Sequence, residues 1–454
     1  MGSADLEKKA TELDSLNHVR REIPGGGEVY VLDTGAVIDS EGEAMLQALH
    51  SRSVGGLKSH LEALKQKGAA NFMNSFYVGY GHKSIGDCGS TTIFIEGVSM
   101  FVAKAIQDNR LYNGQEASTR YIDFSRQPFV NPIGTAEGQE LLESQRRFYL
   151  SILDPIRRFL KEQNPQSGGE KDSVYEKAIN ARAFDIARGF LPAGAATNLA
   201  WHSNLRQVSD RLLFLRHHPL EEVRNVAHTV EGAVLEAHPN SFTNKRYSDT
   251  ESYQDLIAGN YFYHNPDSPD ISVTSNLDLS GLRGMRELID KRPEKTELPK
   301  FLSQAGTIHA EFKLDFGSFR DLQRHRALDQ RMPLLTTDIG FNSWYLENLP
   351  EETRGSAEDF LANLRKRVWG LNASLEVRQY YVPMGFNTSN SISGDLPAML
   401  YMVELRSTRF VHPTLRRVAR GIGEYIGGLG VPVHFDSEPD RFDVKRGEQD
   451  IFIK

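Results

Sequence analysis

Between positions 110 and 121 the chain reads Arg110-Leu111-Tyr112-Asn113-Gly114-Gln115-Glu116-Ala117-Ser118-Thr119-Arg120-Tyr121. Two arginines offer forked donors that match a phosphate, Glu116 and Ser118 add an acceptor and a hydroxyl, and Tyr121 adds a ring for stacking. The same residues also suit a solvated helix end, and spacing alone does not separate the two readings. A second cluster, Arg320-Asp321-Leu322-Gln323-Arg324-His325-Arg326, is again basic. Taken in isolation, its Arg-His-Arg triplet reads as an exposed helix terminus stabilised by the helix dipole.

The elements expected to carry these clusters occur twice in the same order. An alternating run from Ser90 to Glu96, a break at Gly97 and a helical stretch from Val98 to about Tyr112 lead into the first cluster. A run from Thr307 to Leu314, with Gly317-Ser318 as turn and cap, leads to a helix expected to run through Arg320, His325 and Arg326. Later, Phe214-Leu215-Arg216 precedes Glu222-Val223-Arg224-Asn225-Val226-Ala227, and Glu404-Leu405-Arg406 precedes Thr414-Leu415-Arg416-Arg417-Val418-Ala419. The paired order indicates duplication. Helical periodicity covers Leu141 to Lys161, Val174 to Leu191 and Glu358 to Val377. The expected class is α+β, with helices packed on a mixed sheet in each half. The expected divisions are an N-terminal extension at 1–26, a first repeat at 27–240, a linker at 241–299 rich in turn residues, and a second repeat at 300–454.

At 454 residues the chain exceeds a single small module, and 39% hydrophobic with 25% charged residues is a globular composition. No apolar run reaches the roughly 20 residues that cross a bilayer, and the N-terminus lacks the apolar core of a secretory leader. The expectation is a cytoplasmic protein without membrane contact. A formal charge of −7 argues against nucleic acid as partner while permitting a local phosphate site. The single cysteine, Cys88, excludes a disulfide framework and a Cys-x-x-Cys metal site. His217-His218 precede Pro219 without further ligands at metal spacing and are read as surface residues; no metal is expected. Trp344-Tyr345 and Tyr380-Tyr381 are read as core or interface aromatics. Gly421-Ile422-Gly423-Glu424-Tyr425-Ile426-Gly427 has one residue too many for a dinucleotide-binding turn and follows a helical run.

The first cluster resembles the flavin-dependent thymidylate synthase family, which carries Arg-His-Arg, seven residues, then Ser-x-Arg-Tyr, usually with Glu two places before the Ser. Arg110, Glu116, Ser118, Arg120 and Tyr121 fall on that pattern. Gly81-His82 through Cys88, Ala187-Arg188-Gly189-Phe190-Leu191-Pro192 and Asn204-Leu205-Arg206 resemble three further elements in the family's order. The resemblance spans roughly 27–240 and implies two tandem copies of that family's fold.

By that resemblance Glu116, Ser118 and Arg120 hold the nucleotide, Arg188 grips it from another copy, and Ser118 and Arg188 are the catalytic candidates. Asn204, Arg206 and Arg110 lie on the flavin side, and Arg216 is a further nucleotide arginine with which Arg211 competes. Departures are Asp108-Asn109 for the first two residues of Arg-His-Arg, Asn113 for a serine and Cys88 for a histidine. The missing triplet recurs as Arg324, His325 and Arg326, which the resemblance places against flavin, with Arg378 parallel to Arg188. The family implies FAD, NADPH, methylene-tetrahydrofolate and dUMP, and a homodimer imitating its tetramer. Cys88 lies in Asp87-Cys88-Gly89, unlike the Pro-Cys-His nucleophile of the classical thymidylate synthases, and reduced flavin makes such a nucleophile unnecessary. Two alternatives remain open: another C5 modification of a uracil nucleotide, motivated by Cys88 and Asn113, and a non-catalytic nucleotide-binding descendant.

Overall fold

A computed structural model describes residues 18–32, 38–50, 57–79, 83–243 and 245–436. The strands are β1 (His18–Glu22), β2 (Glu28–Leu32), β3 (Ser90–Ser99), β4 (Asn113–Glu116), β5 (Ala196–Asn204), β6 (Phe262–Tyr263), β7 (Ile271–Ser275), β8 (Thr307–Asp315), β9 (Asp329–Gln330), β10 (Met332–Pro333) and β11 (Asn387–Asp395). The helices used below are α1 (Ser40–His50), α2 (Met100–Gln107), α3 (Ala136–Gln163), α4 (Asp172–Ala187), α5 (Leu205–Leu215), α6 (Glu221–Ala237) and α7 (Ser248–Ala258). They continue with α8 (Phe316–Leu322), α9 (Glu351–Gly370), α10 (Leu396–Arg406) and α11 (Pro413–Gly428). The class is α+β, as the sequence indicates. Among the described residues no helix is long and apolar enough to cross a membrane.

The chain forms two compact units from interleaved segments: unit 1 is 1–117 with 196–260, and unit 2 is 118–195 with 261–454. Unit 1 holds a five-stranded antiparallel sheet in the order β1-β2-β3-β5-β4. The alternation in β3 sends Ile93 and Ile95 into the core at 0% exposure while the intervening positions stay half-buried. Gly97, at φ 68°, lies at the register shift between Ile95 and Val98. Unit 2 holds an antiparallel sheet in the order β7-β8-β11-β9, and parallel pairing is confined to β6 with β10. The segment read as a linker therefore supplies helix α7 and strand β7, an edge partner of β8.

In each unit two antiparallel strands run directly into helices at opposite ends of the pair: β3 into α2 and β5 into α5, β8 into α8 and β11 into α10. Each junction is an N-cap. Ser99, Asn204, Asp315 and Asp395 accept from the amides of Val102, Gln207, Ser318 and Ala398 at 3.4, 2.8, 2.9 and 2.8 Å. Each such cap stabilises its helix by about 1 kcal/mol. The second helix starts at Asp315, so Gly317 and Ser318 belong to its first turn, and it ends at Leu322. Arg324, His325 and Arg326 thus lie in the turn beyond it. In unit 2, Thr135 caps α3, whose stripe of Leu141, Leu142, Tyr149, Ile152, Ile156 and Leu160 is buried. Phe148 of that helix stacks on Phe360 of α9 at 4.2 Å.

Candidate functional site

Unit 1 places Glu116 at the end of β4, where Leu199 of β5 is its register partner. Its carboxylate lies 3.0 Å from Lys104 Nζ, with the two side chains 2% and 0% exposed, and accepts from Gln107 Nε2 at 3.1 Å. Glu116 is therefore tied to helix α2. Arg110 is exposed in the turn between that helix and β4. Asn204 uses its side-chain oxygen as the cap of α5. Cys88 packs against a small cluster of Ala44, Ala48, Met73, Tyr77 and Ile85, with its thiol 3.5 Å from the Ser84 carbonyl. His82 lies outside the described residues.

Helix α5 also presents Arg206 and Arg216 to one cleft of about 420 Å³, whose walls include Tyr77, Lys245, Arg246 and Glu251. Arg206 donates from Nε to Asp87 at 2.7 Å, and that bond holds its guanidinium charged above the ordinary range. Arg216 donates from Nε to Glu251 at 3.0 Å and from Nη2 to the other oxygen of the same carboxylate. Arg211, its competitor in the sequence, donates to the Ala105 carbonyl and stacks on Phe214 at 4.6 Å. Burial pushes the Tyr77 hydroxyl up to about 12, with Asp210 and Asp87 adding to the effect. Next to Arg216, His217 sits between Glu251 and Asp255, 2.6 Å from each, and His218 is 1% exposed. Neither histidine is a surface residue, because α7 covers the first and burial takes the second, holding it uncharged.

In unit 2, Ser118 precedes a short 3₁₀ turn, exposed and with no capping bond from its hydroxyl. Two residues on, Arg120 meets Asp185 of α4 through both forks, Nε to Oδ1 at 3.1 Å and Nη2 to Oδ2 at 2.8 Å. The bidentate pair fixes the guanidinium plane while its remaining N–H groups point elsewhere. Arg188 lies one turn beyond Asp185 and is buried, at 8% exposure. Burial opposes its charge, but Tyr345, Asp185, Asp315 and Asp321 outweigh that and hold it protonated; Nη2 donates to Ser318 Oγ at 3.3 Å. Close approach at the following residue requires glycine, since a Cβ on Gly189 would stand 2.6 Å from the Tyr345 ring.

The basic triplet surrounds a different group. Arg324 is exposed and 3.6 Å from Asp321, and Arg326 is exposed in the turn before β9. His325 is 7% exposed and accepts on Nε2 from Arg406 Nε at 2.7 Å. Burial, then Arg406, push its pKa down to about 3, so the ring is a neutral acceptor. Asp321 is held ionised against burial by Arg324, Arg188, Arg406 and Arg320. Arg378 donates to the Leu371 carbonyl at 2.9 Å and lies over Trp369. Trp344, Tyr345 and Tyr380 belong to unit 2, where Tyr345 and Tyr380 are core residues and Trp344 packs on His412 at 4.4 Å.

The structure thus brings Arg120 and Arg188 to Asp185, leaves Ser118 an exposed residue two positions before Arg120, and sets Arg206 and Arg216 on one cleft. The acids that organise them, Asp185, Asp321 and Glu251, were not singled out from the sequence. Only Asp185 left a signal, three residues before Arg188 and so on the same side of the chain as it leaves the helix.

Residues 39–240 match the model of a family described as thymidylate synthase complementing protein. A UPF0159 protein of Chlamydia pneumoniae is 25% identical over 412 residues, covering 78% of this chain and 77% of that protein. The UPF0159 protein Ta1429 of Thermoplasma acidophilum is 24% identical over 430 residues, covering 78% and 85%. A solved structure of a UMP/dUMP methylase PolB from Streptomyces cacaoi, bound with 5-Br dUMP, is 18% identical, with 49% of this chain and 95% of that chain covered and a TM-score of 0.31.

Proposed function

We propose that this chain is a flavin-dependent thymidylate synthase in tandem form, converting dUMP to dTMP with FAD, NADPH and methylene-tetrahydrofolate. In this reading 27–240 and 300–454 descend from one ancestral unit, and a homodimer in the cytoplasm takes the place of a tetramer. The observation that carries it is the Ser118-Thr119-Arg120 stretch. It lies inside the matched family segment, with an exposed hydroxyl beside a guanidinium already oriented by Asp185. Such a preoriented donor loses little freedom on meeting a phosphate.

The donor sets differ in how they fit a flavin nucleotide. Arg206 and Lys245 at the unit 1 cleft fit a phosphate-bearing group, with Arg216 on the same cleft assigned to the pyrimidine nucleotide. The Arg324-His325-Arg326 triplet does not, because His325 faces Arg406. When bound, reduced flavin supplies the hydride for the reaction. For its part the chain orients the nucleotide through Arg120, accepts or donates at Ser118 Oγ, and stabilises charge on the pyrimidine with arginines.

The test is a titration of the purified protein with FAD and then dUMP, followed by dTMP assay with NADPH and methylene-tetrahydrofolate. A flavin spectrum perturbed by dUMP and dTMP formation are expected, with Arg120→Ala weakening dUMP about 10- to 100-fold through loss of a charge-assisted bond. Consumption of dUMP without dTMP would establish the different C5 modification. The inward-facing His325 favours the binding-only descendant as the second reading, and dUMP binding without flavin retention would establish that one.

A further inference from the structure

In unit 1 every direction of the Arg216 guanidinium meets an acid. Glu251 of α7 takes Nε and Nη2 with its two oxygens, and Glu231 of α6 lies 3.5 Å from Nη1. Glu231 in turn accepts from Arg246 at 2.6 Å. With Glu251 forked onto Nε and Nη2 and Glu231 at Nη1, the donors of Arg216 that a phosphate oxygen pair would take are engaged on both sides, whereas the Asp185 fork engages Arg120 on its Nε and Nη2 side. Helix α7 brings Glu251 over the cleft and clamps His217 through Glu251 and Asp255. Its opposite side shows Tyr253 and Leu256 to solvent at 62% and 67% exposure. The Ser209 and Thr250 residues and the Lys245 ammonium, which lies 4.9 Å from the Tyr247 ring, complete a cleft wall suited to an anion.

We propose that Glu251 is an internal stand-in for a ligand phosphate, and that α7 is a strap which keeps Arg216 engaged within the unit 1 cleft until a phosphate-bearing ligand displaces that carboxylate from it. This rests on the reading above in taking the ligand to be a pyrimidine nucleotide. Arg216 holds the Glu251 carboxyl down to about 2, so the carboxylate stays charged through the neutral range and release occurs by competition with another anion, not by protonation. Apparent affinity falls by the fraction of molecules in which Arg216 is released. If it is released in one molecule in ten or fewer, freeing Arg216 tightens binding about tenfold or more.

The experiment is isothermal titration of the full chain with inorganic pyrophosphate and, separately, dUMP, for the native protein, Glu251→Gln, Glu251→Asp, Arg216→Gln and the Glu251→Gln/Arg216→Gln pair. Glu251→Gln is expected to bind pyrophosphate at least about tenfold more tightly than the native protein, with the gain lost in the pair. Glu251→Asp, which keeps the charge but shortens the reach, is expected to fall between. Amide exchange in residues 248–258 is expected to quicken when pyrophosphate saturates the native protein. Equal or weaker pyrophosphate binding by Glu251→Gln, or exchange in α7 unchanged by ligand, overturns the strap. Tighter pyrophosphate with no dUMP binding in any variant leaves the strap standing and removes the nucleotide reading.

Discussion

Lys104 and Glu116 face each other at 3.0 Å with almost no exposure, although one belongs to a helix interior and the other to a motif read as nucleotide-binding. Removing one partner of such a pair strands the other charge out of water, a loss of about 3–5 kcal/mol, whereas replacing both with apolar groups is far milder. Lys104→Met is expected to lower stability by about that amount and Lys104→Met/Glu116→Leu by much less, read from urea transitions. His325 gives a second test at this scale. Its folded value of about 3 lies below the ordinary 6.5, so the unfolded chain takes up the proton first as pH falls. The stability from the neutral ring is complete above pH 6.5 and declines by about 1.4 kcal/mol per pH unit toward 3. His325→Gln keeps an acceptor for Arg406 and is expected to flatten part of that slope in thermal midpoints measured from pH 7 to 4. The identities of the arginines were legible in the sequence, but their partners mostly were not. Glu251 meets Arg216 from 35 residues away, a distance at which local spacing carries no information.

At the scale of elements, the period-2 run at Ser90 and the run at Thr307 became β3 and β8, and the helix at 141–161 became α3, because their apolar periods match the faces that are buried. The stretch at 174–191 became α4 and a 3₁₀ turn at Arg188–Phe190, buried on every side from 182 to 190 rather than along one stripe. Helix ends were less legible. Asp315, not the Gly317-Ser318 pair, caps α8, since an aspartate at the strand end accepts the Ser318 amide and leaves those two residues helical. Strand β7 was hidden by the Pro and Asp residues before it, although Ile271 to Ser275 alternates once its pairing with β8 is known. Strand β4 gives the prediction for this scale. Gly114 adopts φ 150° and a Cβ there would stand 1.9 Å from the Ala200 carbonyl oxygen of β5. Gly114→Ala is expected to detach β4, at a loss of about 1–3 kcal/mol or more, seen as faster amide exchange at 113–116.

Across the whole molecule, the compact units do not follow the order of the chain, which passes between them at residues 117, 195 and 260. In unit 2, helix α3 needs partners from far downstream: Phe148 stacks on Phe360, and Gln145 donates to the Tyr381 carbonyl at 2.9 Å. A fragment ending at residue 260 is therefore expected to complete unit 1 but leave the apolar stripe of α3 uncovered, binding a hydrophobic dye and associating with itself. A monomeric, dye-silent fragment with one cooperative transition would contradict that expectation. The interleaving also sets a timetable during synthesis. The stripe of α3 leaves the ribosome long before residues 360 and 381, and at about 5–20 residues per second the delay is roughly 10–40 s. Through that interval the nascent chain carries an uncovered apolar helix, and for its first part unit 1 too still lacks residues 196–260, which makes its yield sensitive to translation speed and chaperone supply.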